Sequence, residues 1–250
     1  MRDTSHLGQV WADRMTRSER DQSFPDSAPR DAATLMLIDR SGTLPKVLLG
    51  RRHHGHKFMP GKFVFPGGRL EPHDAEMSSL SDLHPDIQAK LNVRVASPSA
   101  DFARALALTA IRETAEETGL LLGAKRDEPP STPGEIWAEF AKAKVHPDLG
   151  QIHFIARAIT PPRRPKRFDT RFFTVDATAI AHRIEGVVGP DSELVELTWT
   201  PIEQAAQFDM PTITGVVLEE LLARVEGGLK HSLPVPFYFM ENQVYHRELL

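Results

Sequence analysis

The sequence predicts an α/β fold in which a mixed β-sheet is sandwiched between helices. Apolar segments typical of strands occur on both sides of one long helical segment at residues 103–120, and a second helical segment follows at residues 213–225. The chain has 250 residues, of which 40% are hydrophobic, and this is enough material for one sizeable core with embellishments. We therefore expect a single α/β/α sandwich.

The elements follow one another in a simple order. Residues 1–30 are polar and have no apolar run like that of a signal peptide, so we expect a mobile or loosely packed arm. Residues 31–250 form the expected single domain, with a mainly helical insertion at residues 75–100 in which Pro85 can start a helix and Pro98 can stop one. Strands are predicted at residues 32–38, 46–51, 62–65, 151–159, 172–175, 192–200 and, as a terminal strand that closes an edge or pairs with a partner, 234–240; helices are predicted at residues 103–120, 134–144, 202–208 and 213–225.

Charge and composition exclude several classes of protein. The formal net charge of -4 is spread without long blocks of one sign, which argues against nucleic acid or a membrane surface as partner. The chain has no cysteine and therefore no thiolate metal ligand, which fits a reducing compartment. No apolar run approaches the roughly 18 residues needed to span a bilayer. Because the final R-E-L-L differs from the S-K-L peroxisomal signal, we expect a cytoplasmic protein.

Three glutamates mark the C-terminal half of the long helical segment. Glu113, Glu116 and Glu117 stand at i, i+3 and i+4, so all three lie on one helical face. Carboxylates this close repel one another unless a cation lies among them, and Mg²⁺ or Mn²⁺ is suitable because these ions prefer oxygen ligands. Arg112 reaches Glu116 at i+4, and Gly119 can cap the helix in the left-handed conformation. A solvated acidic helix end is the alternative interpretation.

A glycine-rich turn precedes this helix. The apolar segment F-V-F at residues 63–65 ends at Pro66, Gly67 and Gly68, and paired glycines let backbone groups approach a metal or a phosphate closely. Asp74 follows six residues after Gly68, and residues 75–111 then separate it from Arg112. The turn and the glutamates therefore act together only if the chain brings them back into contact.

This arrangement resembles the Nudix box, G-x5-E-x7-R-E-U-x-E-E-x-G-U, in which U is a bulky aliphatic residue. Asp74 stands at the position of the first Glu, Thr114 stands at an aliphatic position, and the long insertion replaces the x7 spacing. The residues that match the pattern are Gly68, Arg112, Glu113, Glu116, Glu117, Gly119 and Leu120.

The resemblance implies a Nudix α/β/α sandwich with a mixed central sheet, and it implies a role for each matching residue. Arg112 would orient the glutamates of the catalytic set, and Glu193, on the strand at residues 192–200, would be an extra base or metal ligand. The metal ligands expected from the resemblance are Glu113, Glu116, Glu117 and the carbonyl of Gly68.

Two basic segments are candidates for binding phosphate oxygens. Residues 51–61 contain two arginines, a lysine and three histidines beside the glycine turn, and residues 161–171 contain five basic residues around Asp169. A solvated basic surface is the alternative interpretation for both segments. The expected substrate-binding residues are Arg51, Arg52, Lys57, Gly67, Arg167 and Arg171.

The first basic segment is also similar to the motif L-L-T-x-R-[ST]-x3-R-x3-G-x3-F-P-G-G of coenzyme A-cleaving Nudix enzymes. Gly50 and His53 depart from this motif, and Lys57 replaces its second Arg. The second basic segment and the insertion are similar to the branch that includes peroxisomal coenzyme A diphosphatases. The matching residues are Leu48, Leu49, Arg52, Gly61 and residues 65–68.

These resemblances imply divalent-metal-dependent hydrolysis of a diphosphate bond in a nucleoside diphosphate linked to another moiety. Coenzyme A or acyl-CoA is the favoured substrate, which would give 3',5'-ADP and phosphopantetheine. An ADP-ribose or NADH diphosphatase is the alternative. A non-catalytic Nudix module that senses a nucleotide is a second alternative, from a different class. The partner is expected to be a small nucleotide-containing molecule, and a homodimer is compatible with the resemblance.

Overall fold

The computed structural model describes residues 4–18, 20–55 and 59–250. In this part of the chain, the five α-helices are α1 (Thr4–Arg17), α2 (Pro85–Leu91), α3 (Ala100–Thr118), α4 (Ala138–Ala143) and α5 (Thr212–Glu226). The strands are β1 (Arg30–Asp39), β2 (Lys46–Arg52), β3 (Phe63–Val64), β4 (Gly67–Arg69), β5 (Leu120–Leu122), β6 (Ala124–Lys125), β7 (Val145–His146), β8 (His153–Ile159), β9 (Phe168–Asp176), β10 (Ile180–Arg183), β11 (Leu194–Pro201), β12 (Pro236–Glu241) and β13 (Val244–Leu249).

A mixed sheet forms the centre of the described structure. Its strands lie in the order β11-β2-β1-β9-β8-β12-β13, with β3 paired to β2 and β4 paired to β1. The β1–β9 and β8–β12 pairs are parallel, whereas the other pairs of this sheet are antiparallel. The short pairs β5–β10 and β6–β7 lie outside this sheet and were not predicted, because runs of two to four residues carry little periodicity.

Two apolar cores lie on opposite faces of the sheet. Alternate side chains of a strand point to opposite faces, so Leu35 and Leu37 of β1 enter the core beneath α3, while Met36 and Ile38 enter the core beneath α1 and α5. All four side chains are almost completely buried. This arrangement confirms the predicted α/β/α sandwich with a mixed central sheet.

The segment predicted as one strand at residues 62–65 divides at Pro66. β3 pairs with β2 on one side of the division, and β4 pairs with β1 on the other. Proline has no backbone N–H to donate, but its carbonyl accepts a hydrogen bond from Leu35 N at 3.1 Å. The division carries the chain across to β1 and places Gly67 and Gly68 on a short strand beside it. The predicted terminal strand at residues 234–240 corresponds to β12, which lies between β8 and β13 rather than at an edge.

Helix α3 has well-defined ends. Ser99 caps its start by accepting a hydrogen bond from Phe102 N at 3.0 Å, and Gly119 ends it with φ of 74°. The left-handed cap at Gly119 is therefore confirmed. The helix is buried on most sides, as expected for a helix that lies between the sheet and a second layer.

The insertion supplies that second layer. Pro85 begins α2 as predicted, but α2 ends at Leu91, well before Pro98. The side chain of Asn92 then clasps the following loop, because its amide bonds both the N–H (2.8 Å) and the carbonyl (3.1 Å) of Ser99. The buried insertion side chains that join the core beneath α3 are Met77, Leu83, Ile87 and Leu91.

An ion-pair network closes the insertion onto α3. Asp74 is almost completely buried and accepts hydrogen bonds from Arg112 Nε (2.8 Å), Arg112 Nη2 (3.1 Å) and Thr109 Oγ1 (2.7 Å). Arg104, about two turns before Arg112 in the helix, donates to the carbonyl of Ala75 (3.2 Å) and the hydroxyl of Ser79 (2.7 Å). The start of the insertion therefore packs against α3, the helix that follows the insertion in the chain.

The expectation of a loosely packed arm at residues 1–30 is wrong for α1. Trp11, Ala12 and Met15 of this helix are at most 3% exposed, and Trp11 and Met15 join the core beneath α5. Trp11 donates a hydrogen bond to Glu219 of α5. The prediction failed because three apolar residues spaced along one helical face are few enough to be hidden in a polar segment.

None of the helices in the described ranges is long and apolar enough to cross a membrane.

We expect Trp11→Ala to lower the free energy of unfolding by about 3 kcal/mol, because the substitution removes a large buried side chain and leaves a cavity. Urea denaturation of the full chain measures this change. Val10→Ala is the matched control, since Val10 is 48% exposed in the same helix, and its effect should stay within about 0.5 kcal/mol. Equal stability of the two variants would show that α1 does not contribute to the core.

We expect Asp74→Asn to lower the free energy of unfolding by about 3 kcal/mol, because it leaves part of the Arg112 charge buried without its partner. The same denaturation experiment measures the loss. Asp82→Asn is the control within the insertion, since the Asp82 side chain is 94% exposed. If Asp74→Asn unfolds at the same urea concentration as the unchanged chain, the ion pair does not hold the insertion in place.

Candidate functional site

The glycine turn and the glutamates of α3 lie in contact despite the insertion between them. Gly67 N donates a hydrogen bond to Glu117 Oε2 at 3.3 Å. A Cβ atom at position 68 would overlap the Glu113 carboxylate in its present position, so this glycine lies directly against Glu113. The structure therefore brings together both halves of the interrupted sequence pattern.

The three glutamates differ in exposure. Glu117 is 7% exposed, whereas the side chains of Glu113 and Glu116 are 15% and 39% exposed. Burial raises the pKa of Glu117 well above its ordinary value, and the negative charges of Glu193 and Glu113 raise it further. Burial also raises the pKa of Glu113 and of Glu116, although Arg112 opposes the shift in both. This concentration of buried negative charge favours a bound cation.

Arg112 orients two of these carboxylates. Its Nη1 donates to Glu113 at 2.8 Å and to Glu116 at 3.0 Å, which confirms the predicted i+4 contact. Its Nη2 donates to the carbonyl of Arg69 at 2.9 Å, at the end of β4. Burial lowers the pKa of the Arg112 guanidinium, but the hydrogen bonds of Asp74 and the charge of Glu113 outweigh this effect and raise it above its ordinary value.

The donor set suits a hard divalent ion. Carboxylate and backbone oxygens are the ligands that Mg²⁺ and Mn²⁺ prefer, and among the described residues Glu117 accepts one long hydrogen bond, from Gly67 N at 3.3 Å. Within the described ranges, no three carboxylate or imidazole side chains form a ready-made metal cage. Two of the glutamates, Glu113 and Glu116, are paired with the guanidinium of Arg112. The three glutamates therefore offer the oxygen ligands that a divalent ion prefers, on one turn of α3 beside the glycine turn.

Two arginine–glutamate pairs connect the end of β2 with residues 193–196. Arg52 Nη2 donates to Glu193 at 2.7 Å, and Arg51 Nε donates to Glu196 at 2.9 Å. Arg52 and Glu193 both act on the pKa of Glu117, so this pair lies beside the glutamates. The Nε of Arg52 is buried and has no hydrogen-bond partner among the residues that the structure describes. Lys57, predicted to bind substrate, lies outside the described residues.

The second basic segment does not form the predicted phosphate-binding wall. Arg171 is fully buried and bonds Asp31 and the carbonyl of Asp169, so it cannot contact a substrate. Its position in β9 points it into the core, where its guanidinium lies over the ring of Phe102. Arg167 bonds Asp26 at 2.8 Å and the carbonyl of Thr160 at 3.1 Å, which leaves its side chain 13% exposed.

Sequence reasoning missed one residue of the site. Thr109 fixes Asp74, and the signal for it was its place on the same helical stripe as Glu113, four residues earlier. Thr114, which stands at an aliphatic position of the sequence pattern, is fully buried, and its hydroxyl donates to the carbonyl of Ala110 at 2.7 Å. The helix backbone therefore satisfies this hydroxyl within the core.

A scan of protein-family models and a search of curated proteins find no match to this chain. Solved structures do match it. The Nudix domain of Shewanella oneidensis NrtR, in complex with ADP-ribose, covers 86% of this chain over 97% of its own length, at 15% identity and a TM-score of 0.45. The Nudix hydrolase RenU from M. smegmatis covers 80% of this chain over 88% of its own length, at 16% identity and a TM-score of 0.43.

A Nudix hydrolase from Alicyclobacillus acidocaldarius is much more similar in sequence. It is 31% identical, the match covers 79% of this chain and 92% of that protein, and the TM-score is 0.57. The mixed sheet, the glutamate-bearing helix and the glycine turn of this chain agree with this likeness. The chain therefore belongs to the Nudix hydrolase family of enzymes.

Proposed function

We propose that this Nudix hydrolase cleaves a diphosphate bond in a nucleoside diphosphate linked to another moiety, with Mg²⁺ or Mn²⁺, and that coenzyme A or acyl-CoA is its substrate. The observation that carries the proposal is the packing of the Glu113 and Glu117 carboxylates against Gly67 and Gly68. Buried carboxylates beside open backbone groups suit a metal ion and a phosphate together.

The residues of the site divide the chemistry among them. Glu113, Glu116 and Glu117 would hold the ion, and the Gly68 carbonyl is a further ligand. When bound, such an ion stabilises negative charge on the diphosphate as a Lewis acid. Arg112 keeps Glu113 and Glu116 in place through its two hydrogen bonds. The arginines of the two arginine–glutamate pairs position the substrate. A glutamate accepts the proton.

Hydrolysis requires that water attack one phosphorus atom while the bridging oxygen leaves. The water oxygen forms the new bond to phosphorus, the bridging oxygen takes the bonding pair, and the proton of the water passes to a carboxylate. A glutamate of the cluster or Glu193 accepts this proton. Arg52 supplies the positive charge opposite the leaving phosphate, since its buried Nε has no partner among the described residues.

The preference for coenzyme A rests on the motif at residues 48–68. Structure explains one departure from that motif: a Cβ atom at position 50 would overlap the side chain of Leu194 on β11, so glycine replaces threonine where the two strands meet. Leu48 and Leu49 are buried in β2, and Arg52 at its end reaches the site. The insertion also agrees with the branch that includes coenzyme A diphosphatases.

Two alternatives follow from the same site. ADP-ribose or NADH carries the same diphosphate link on a different arm, and the carboxylates and Arg52 do not distinguish these arms. A sensing module that binds without cleavage is the second alternative, and the intact glutamate set argues against it. We retain a cytoplasmic location and a homodimer as expectations for this enzyme.

We expect Glu117→Gln to lower kcat by about 100-fold or more while the free energy of unfolding stays equal or rises. The amide removes the charge that the ion requires, and it also removes a buried carboxylate whose pKa is raised chiefly by its burial. Steady-state hydrolysis and urea denaturation of the same preparation measure the two effects. Glu139→Gln, on exposed α4, is the control and should change neither. Full turnover in the variant would show that Glu117 is not a catalytic residue. No turnover in the unchanged chain, with nucleotide binding that Glu117→Gln leaves intact, would support the sensing module.

We expect coenzyme A to give 3',5'-ADP when Mg²⁺ is present and to give none after chelation with EDTA. A panel of coenzyme A, an acyl-CoA, ADP-ribose, NADH and a dinucleoside polyphosphate, resolved by chromatography, ranks the substrates by kcat/KM. Cleavage of ADP-ribose or NADH with no action on coenzyme A would replace the favoured substrate by the alternative. Cleavage of none of the five would remove the diphosphatase proposal for all of these compounds.

A further inference from the structure

A cavity of about 380 Å³ lies on the face of the sheet opposite α3. It opens between the end of α1, the start of α5 and the strands β8 and β9. Its volume falls within the range of about 300–1,000 Å³ that is typical of small-molecule sites. None of the residues that hold Glu113 and Glu117 lines it, so it is separate from the carboxylate site.

The cavity is lined by methionines to an unusual degree. Three of the seven methionines in the chain line its wall, namely Met15, Met59 and Met210. Methionine is unbranched and polarisable, so it adapts to flexible apolar ligands. Phe172 from β9 and Tyr245 from β13 add aromatic surface to the lining. Such a surface matches an aliphatic chain better than a rigid polar ring.

Positive charge surrounds the apolar lining. Arg20, Lys62 and Arg164 all border the cavity, and none of the described lining residues is acidic. Lys62 pairs with the exposed Asp209, but in the part of the chain that the structure describes neither arginine forms a salt bridge. Arg164 donates one hydrogen bond, to the carbonyl of Asp21 at 2.9 Å, which leaves most of its donors available to a ligand.

We propose that this cavity is a second binding site, and that it takes a small organic anion with an aliphatic chain. The chain lies on the methionines and Phe172, and the anionic group meets Lys62 and Arg164 at the rim. Arg20 contributes charge more than hydrogen bonds, because it already caps α1 through the carbonyls of Met15 and Thr16 and stacks on Tyr245. The site is independent of the hydrolysis proposed above.

Binding of decanoate to the full chain tests the proposal. Isothermal titration in EDTA, which prevents metal-dependent binding at the carboxylates, should show one saturable site with a Kd of about 1 mM or tighter. Decanol, which keeps the chain and lacks the charge, should bind about tenfold more weakly, and acetate should not bind measurably. Glu117→Gln should bind decanoate like the unchanged chain, which separates this site from the hydrolytic one.

Three variants locate the binding. Met210→Trp, which fills the cavity, should abolish binding of decanoate, and the double variant Lys62→Gln, Arg164→Gln should weaken it by about tenfold or more. Arg163→Gln is the matched control, because Arg163 is exposed in the same loop and does not line the cavity. Thermal unfolding confirms that each variant is folded. Absence of saturable binding, or binding that Met210→Trp and the double variant leave unchanged, would overturn the proposal.

Discussion

The buried guanidinium of Arg112 joins three parts of the molecule that are distant in sequence. It bonds Asp74 at the start of the insertion, the carbonyl of Arg69 at the end of β4, and Glu113 and Glu116 on its own helix. A charge taken out of water is tolerated only when its partners are well placed. Each of these partners is therefore held where the guanidinium requires it, and the glycine turn, the insertion and the glutamates keep a fixed relation.

This network also assigns Asp74 a structural role. Asp74 stands at the position of the first glutamate of the Nudix box, but both of its oxygens are used by Arg112 and Thr109 and by Glu71 N at 3.0 Å. It is 1% exposed. Asp74 therefore supports Glu113 and Glu116 through Arg112.

Features with a strong local signal could be predicted from the sequence. Apolar runs located β1 and β8, and Gly119 marked the end of α3 because glycine adopts the left-handed conformation without steric cost. The glutamates could be placed on one face because helical spacing is regular. The burial of α1 could not be predicted in this way, since it depends on a tertiary partner, α5, far along the chain.

The basic segments show where sequence reasoning fails at a site. Arg52 and Arg171 have the same charge, yet one reaches the glutamates and the other is sealed beneath α3. Arg171 belongs to β9, where successive side chains point to opposite faces of the sheet. A shift of one residue would therefore move this side chain to the other face. A charged residue followed by Phe172 and Phe173 gives no local sign that it pairs with Asp31 and with the buried Asp169.

The clasp formed by Asn92 has a practical consequence. Its side chain is hydrogen-bonded to the backbone of Ser99. Arg157 donates to the carbonyls of Val93 and Arg94. Both ends of the loop at residues 95–98 are therefore held in place. A sequence inserted in this loop would begin and end at positions that lie close together, and lengthening such a loop has only a small entropic cost. The enzyme thus offers an insertion point for a reporter domain just before the helix that bears the glutamates.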